Sequence, residues 1–438
     1  MHIATMLRLS FFLAATLLVH AAGAQSLQTA TPEQVGFSTE RLAKITQVFK
    51  QEVDQGKLPG AVLMIARKNR LVYSESIGFQ NKEAATAMSK DAIFRIYSMT
   101  KPMVSVAAML LVEDGKLQLN DPVSKHLPAM KGMQVSVAKA DAEFARYTYS
   151  TVTADREMTV YDLLRHTAGL GYGELTANPS VKEALIKAGL YQPNARDFDS
   201  RDLTPAEQVE RLSKIPLIHQ PGTIWDYSLA TDVLGRVVEA VSGKRLGDFL
   251  EARVFAPLKM ADSGFWLSPD KLVRLAQPLA IDPASGAPNR MIDVAMQPKN
   301  DSGGAGGVAS ANDYLRFALM LANGGQLDGT RILSRTTVNL MTSDQLGSRI
   351  AAPFTSGELL LGSPGYTFGL GFSVRTGAGM ATVPGSTGEF MWGGYGGTFF
   401  WVDPKEEIVA VYMSQAPGPS RQYYRRLFKQ LVYQAVVD

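Results

Sequence analysis

Ser98 and Lys101 stand three residues apart in Phe94–Leu117, FRIYSMTKPMVSVAAMLLVEDGKL. A serine hydroxyl becomes a nucleophile when a nearby base takes its proton, and a lysine held in an apolar surround is driven toward the neutral form that can do so. Met103–Val112 is apolar except for Ser105, and Glu113-Asp114-Gly115 follows. The run therefore reads as a helix buried on all faces, with Gly115 closing it and Pro102 tolerated in its first turn. Ser98 then falls at the N-terminus of a buried helix, with Lys101 one turn on and on the same face. Unpaired N–H groups and the positive dipole end stabilise developing negative charge there. The plainer reading is a helix cap followed by a surface lysine. Ser136–Lys139 and Ser268–Lys271 repeat the spacing without opening a buried helix.

A serine–lysine pair needs a further proton carrier, because the leaving group must be protonated. Tyr227 is a candidate at the loop–helix junction of Gln220–Ser228, QPGTIWDYS; a packing tyrosine is the alternative. Met391–Gly397, MWGGYGG, is the other unusual stretch. Glycines weaken a strand unless something must approach its backbone closely. That could be a substrate carbonyl, with a strand N–H as half of an oxyanion hole, or the stretch is a bulge or tight hairpin turn. Beyond the leader, the histidines are His126, His166 and His219. No G-x-S-x-G elbow exists, since Gly385–Gly388 has the wrong spacing. His166 reads as a hydrogen-bonded structural residue. No metal-ligand spacing occurs, and Gly303–Gly307 lacks the Gly-Lys-Ser/Thr of a phosphate loop.

The frame for these residues reads as helices on an antiparallel sheet. Thr31–Lys57 looks helical, with Ser38 as cap and Leu42, Ile45, Val48, Phe49 and Val53 on one face. Gly60–Gln80 reads as two strands joined near Lys68-Asn69. Between about 121 and 296 short capped helices dominate, opening at Thr159, Thr204, Ser228 and Leu246. Residues 131–158 and 171–200 read as long loops. Later come helices capped by Ser310 and Ser334, and strands at Phe368–Val374, Glu389–Trp392, Thr398–Val402 and Ile408–Met413. The final helix, Arg421–Val437, turns Tyr424, Leu427, Leu431 and Val432 to the sheet and its basic residues outward. The expected plan is an α/β (α+β) domain from residues 25–120 and 297–438, with a helical domain, 121–296, inserted.

The chain has 438 residues, 46% hydrophobic and 19% charged, with a net charge of +3. An ordinary core is expected, and the charge is too small to argue for a nucleic-acid partner. The absence of cysteine excludes disulfides, thiol catalysis and cysteine-ligated metal. Residues 1–24 read as a signal peptide: Arg8, the apolar core Phe11–Val19, and an Ala22-Gly23-Ala24 cleavage site. The apolar run is too short to span a bilayer, so the expectation is an exported protein, periplasmic or secreted, with no stable membrane anchor. No pattern specifies an oligomeric state.

Together these segments resemble the serine β-lactamase and penicillin-binding protein superfamily, and within it the class C β-lactamase-like carboxylesterases called family VIII esterases. The resemblance spans the mature chain. It rests on Ser98–Lys101, Leu163–Leu170 (LLRHTAGL), Pro221–Ser228, Pro257–Phe265, Gly303–Phe317 and Trp392-Gly393-Gly394. It implies an antiparallel sheet flanked by helices, with the site between sheet and helical domain. It implies Ser98 as acylated nucleophile, Lys101 and Tyr227 sharing proton transfer, and the N–H groups of Ser98 and Tyr395 as oxyanion hole. Trp392, Gly393 and Gly394 would line the substrate site, and no cofactor or metal is implied.

Two departures separate the chain from β-lactamases of this type. Leu229 replaces the asparagine of Tyr-x-Asn, and Trp392-Gly393-Gly394 replaces Lys-Thr-Gly. An indole in place of a cation favours neutral, apolar substrates. The expected function is a serine carboxylesterase for short-chain or moderately bulky neutral esters. The alternatives are a β-lactamase or D-alanyl peptide hydrolase, an acyltransferase to an alcohol, and a non-catalytic binding module on the same fold.

Overall fold

The computed structural model describes residues 27–141, 146–193 and 200–438. The signal-peptide expectation for residues 1–24 lies outside them. Ser38 accepts the Arg41 N–H, and Leu42, Ile45, Phe49 and Val53 recur at helical spacing, so α1 runs Thr39–Asp54. β1 (Gly60–Arg67) and β2 (Arg70–Asn81) form a hairpin whose turn residues, Lys68 and Asn69, have φ of 50° and 61°. Two positive φ values are what a two-residue turn between right-twisted strands requires. β3 (Thr86–Ala87), β4 (Ile93–Arg95) and α2 (Thr100–Glu113) follow. Next come β5 (Gln134–Asp141), β6 (Arg146–Thr153), α3 (Val160–Leu164), α4 (Pro179–Lys187), α5 (Pro205–Ser213), α6 (Ala230–Ser242), α7 (Leu246–Leu250) and α8 (Pro269–Leu272). β7 (Val308–Ser310) leads to α9 (Ala311–Ala322), then β8 (Gln326–Leu327), β9 (Thr330–Arg331), α10 (Arg335–Met341) and α11 (Ser356–Leu361). The chain closes with β10 (Tyr366–Phe368), β11 (Ser373–Arg375), β12 (Phe390–Gly393), β13 (Phe399–Asp403), β14 (Ile408–Ser414) and α12 (Arg421–Tyr433).

The main sheet has eight strands in the order β10-β11-β12-β13-β14-β1-β2-β3, every pair antiparallel. Alternation along the strands sends aromatic side chains to both faces. Trp401 and Tyr412 meet Phe428 of α12, and Phe49 of α1 packs edge-on against the same ring. Phe400 points the other way, to Tyr314 of α9 at 4.9 Å between ring centres. Burying each such ring stabilises the fold by about 2 kcal/mol or more. α2, buried along Thr100–Leu111, packs against α6, and the Tyr314 hydroxyl donates to the Met99 carbonyl at 2.8 Å. The architecture is the expected mixed one, a large antiparallel sheet flanked by helices.

Local expectations differ in five places. The helix expected from Thr31 begins at Thr39, because Gly36 adopts φ 81° and ends a short 3-10 turn, Pro32–Val35. The stretch read as a loop over 131–158 contains the β5–β6 hairpin, paired from Gln134↔Thr153 to Asp141↔Arg146. Within 171–200, α4 is opened by Asn178, which accepts the Val181 N–H. The single strand expected at Phe368–Val374 is two, β10 and β11, paired across Phe368↔Ser373. Finally, Arg425 and Lys429 of α12 are buried rather than outward.

Candidate active site

β4 runs into a sharp turn at Tyr97, whose φ of 45° lies in the left-handed region. Such a backbone costs a bulky residue about 1–2 kcal/mol. The side chain holds it there: Tyr97 OH accepts the Ile292 N–H at 2.9 Å, and its ring meets Tyr395 edge-on at 5.6 Å. A 3-10 turn, Tyr97–Met99, then carries Ser98 into α2. Thr100 ties this turn down, donating to the Tyr97 carbonyl at 2.6 Å and accepting the Gly307 N–H at 2.9 Å.

Lys101 is buried, not on the surface. Its ammonium or amine Nζ reaches the Gly304 carbonyl at 2.7 Å, Tyr172 OH at 2.9 Å and Ser98 Oγ at 3.5 Å. None of these partners is a carboxylate. Tyr227, just ahead of α6, donates its hydroxyl to Ser98 Oγ at 2.6 Å, and its ring centre lies 4.7 Å from Lys101 Nζ. Ser98 is thus held between a nitrogen and a phenol. Either is positioned to exchange a proton with its hydroxyl.

Two groups around Lys101 carry no signal in the sequence reading. Tyr172 comes from the stretch read as a loop; burial, then Tyr227 and nearby carboxylates, push its hydroxyl well above the usual phenol range, so it stays protonated. A tyrosine flanked by Gly171 and Gly173 directly after LLRHTAGL was the available hint. Asp232 of α6 acts one step back. Its Oδ1 accepts the Ser302 hydroxyl at 2.7 Å and the Gly304 N–H at 3.1 Å, fixing the segment whose Gly304 carbonyl holds Lys101. Gly304 has to be glycine, since a Cβ would lie 2.1 Å from Asp232 Oδ2.

His166 is structural, as expected. Its Nδ1 accepts the Ser228 N–H at 3.3 Å, and its ring packs on Tyr227 at 5.0 Å. Burial, then the Lys101 charge, hold it neutral well below the ordinary value of 6.5. The unfolded chain binds this proton below pH 6.5 and the native one does not, so stability is complete above that pH and is lost as pH falls. Lowering the pH from about 7.5 to about 5 should therefore reduce stability through this group. Urea unfolding across that range checks it, and His166→Gln should flatten the acid side of the profile.

The segment 392–395 lines the same cleft. Trp392 packs on Tyr227 at 5.4 Å and on Phe368 at 5.3 Å. β12 ends at Gly393, and Gly394–Gly397 turns into β13, so the glycines belong to a tight hairpin turn. They also admit close neighbours: a Cβ on Gly393 would lie 2.8 Å from Arg425 Cζ, and one on Gly394 would lie 2.1 Å from the Ile96 carbonyl oxygen. Leu229 is buried at the start of α6.

All of the expected site residues, apart from buried Lys101, line one cleft of about 370 Å³, together with Tyr172, Glu174, Tyr191 and Leu360. Burial raises the Glu174 carboxyl above its ordinary range. Arg421 and Arg425 also line the cleft, so with Trp392 where β-lactamases carry a lysine it still holds cations. Burial, then the Arg421 charge, pull the Arg425 guanidinium down to about 9.

The family model named Beta-lactamase matches residues 45–434. Esterase EstB of Burkholderia gladioli is 33% identical over 382 residues, covering 82% of this chain and 87% of that protein. The solved structure of EstCE1, described as a hydrolase with promiscuous acyltransferase activity, is 27% identical with a TM-score of 0.73, covering 90% of this chain and 99% of the other. Unliganded simvastatin synthase LovD of Aspergillus terreus, 22% identical with a TM-score of 0.72 over 90% of this chain and 98% of the other, shares the fold. By the extent of these matches, the chain belongs to the beta-lactamase family.

Proposed function

We propose that this serine hydrolase is a carboxylesterase that cleaves short-chain or moderately bulky neutral esters through an acyl-enzyme on Ser98. The observation that carries the reading is Ser98 Oγ, held 2.6 Å from Tyr227 OH and 3.5 Å from Lys101 Nζ beneath an aromatic wall. Ser98 Oγ attacks the ester carbonyl as its proton passes to the Lys101–Tyr227 pair. The N–H groups of Ser98 and Tyr395 receive the oxyanion. Collapse breaks the bond to the leaving alcohol, which takes the proton. Water then adds to the acyl carbonyl, the acid leaves, and Ser98 regains its proton. Trp392 gives the cleft an apolar wall that suits a neutral acyl or alcohol group, and Leu229 supplies no amide for a lactam side chain. The similarity to Esterase EstB supports the same choice.

The test compares p-nitrophenyl butyrate with nitrocefin. The ester should be preferred by about a hundredfold or more in kcat/KM. Faster nitrocefin turnover would make β-lactam hydrolysis the main reaction. The similarity to EstCE1 favours one further outcome, transfer of the acyl group to an added alcohol, which product analysis separates from hydrolysis.

A further inference from the structure

We propose that Arg425 and Thr100 are positioning residues that strengthen the two backbone donors of the oxyanion hole from behind. The inference rests on the reading above that the Ser98 and Tyr395 N–H groups receive the oxyanion. A trans peptide unit points its carbonyl and its N–H in opposite directions, and the described chain has no cis peptide. The unit joining Gly394 to Tyr395 gives its carbonyl to a terminal nitrogen of Arg425 at 2.7 Å, and the N–H of that unit is Tyr395's. The unit joining Tyr97 to Ser98 gives its carbonyl to the Thr100 hydroxyl at 2.6 Å, and its N–H is Ser98's. Each expected oxyanion donor is therefore the far end of a peptide whose carbonyl is gripped on the opposite side.

The chemistry of the two grips differs. Thr100 Oγ1 accepts the Gly307 N–H at 2.9 Å while it donates, so the Tyr97–Ser98 peptide ends a hydrogen-bond chain in which each bond polarises the next. Arg425 is a buried charge. Among the described residues its terminal nitrogens reach the carbonyls of Leu360, Gly394 and Thr398, its Nε has no hydrogen-bond partner, and its Cζ lies 5.7 Å from the centre of the Phe399 ring. A buried guanidinium without a carboxylate is expensive for the fold, and the chain also gives up any side chain at Gly393 to seat it. An apolar side chain would fill the space at less cost. What the charge supplies, and an apolar group cannot, is withdrawal of electron density through the Gly394 carbonyl, which makes the Tyr395 N–H a stronger donor.

The alternative is that Arg425 only tethers α12 to the β12–β13 turn. Arg425→Met, Arg425→Lys and Thr100→Val separate the two. With p-nitrophenyl butyrate, Arg425→Met should lower kcat about tenfold to a hundredfold with KM nearly unchanged, and Arg425→Lys should fall between it and the wild type. The deciding readout is isotope-edited infrared spectroscopy of the Ser98 acyl-enzyme trapped with a carbonyl-labelled, slowly hydrolysed p-nitrophenyl ester. The acyl carbonyl band should move to higher frequency in Arg425→Met and in Thr100→Val, and by less in Arg425→Lys. A band left at its wild-type position in these variants overturns the proposal, whatever happens to kcat. Should Arg425→Met fail to fold, the lysine and Thr100 variants carry the same comparison. A wild-type enzyme that forms no Ser98 adduct at all would instead overturn the esterase reading, so the two failures are distinguishable.

Discussion

Ser98→Ala is expected to lower kcat for p-nitrophenyl butyrate by about 10⁴-fold or more, and Lys101→Met by nearly as much. The two act as one unit, so the double variant should be scarcely worse than either alone. Tyr227→Phe should lose about 10²–10⁴, since the ring packing stays and only the hydroxyl 2.6 Å from Ser98 Oγ goes. Methionine fills the buried space of Lys101 while removing a nitrogen whose partners are a carbonyl and two hydroxyls, none of them charged opposite to it. Removing a desolvated polar nitrogen offsets the donors lost by Gly304 and Tyr172, so stability should change by no more than about 2 kcal/mol. Circular dichroism and urea midpoints then show that the activity loss is chemical. Intact mass after exposure to a p-nitrophenyl phosphonate should show one adduct on the wild type and none on Ser98→Ala. Turnover in Ser98→Ala above about a hundredth of wild type would mean another nucleophile, because background catalysis by binding and oxyanion donors falls well below that.

What the sequence disclosed follows the range of the interactions involved. α2 announces itself through an unbroken apolar run, the β1–β2 turn through Lys68-Asn69, and α5 through the box Thr204–Glu207, all signals within a few residues. The β5–β6 hairpin lacks one, since β6 is largely exposed and polar and gives no period-2 apolar stripe. α4 is short, with only Val181 and Leu185 buried. The burial of Arg425 and Lys429 is set by partners far off in the chain, and a lysine or arginine taken alone is most often exposed. The site divides the same way. Ser98, Lys101 and Tyr227 stand in local motifs, and the fold brings them together with Trp392–Tyr395. Tyr172, Asp232 and Arg425 reach the centre through Lys101, Gly304 and Gly394, contacts spanning 31 to 72 residues, which no window along the sequence contains.

Lys429→Met is expected to destabilise the fold by about 3–5 kcal/mol. Lys429 Nζ donates to Glu389 at 2.9 Å, and both side chains are fully shielded from solvent. Glu389 also accepts from Tyr366 OH at 2.6 Å and Tyr433 OH at 3.3 Å, while Arg375 lies 3.8 Å away. Burial lowers the Lys429 ammonium below its ordinary range, and Glu389 opposes that shift. Removing the lysine leaves a carboxylate shielded from water with phenols and a distant guanidinium. Glu389→Gln in the same background should recover a good part of the loss, because an amide needs no counter-charge. A coupling energy of about 1–3 kcal/mol between the two sites, read from urea unfolding of the four proteins, is the expected result; additive losses would mean that the pair is incidental to the packing around it. The pair joins α12 to the loop entering β12, the two elements that carry Arg425 and Trp392 to the cleft. Loosening it should therefore lower kcat in Lys429→Met as well, and the Glu389→Gln background should restore kcat and stability together.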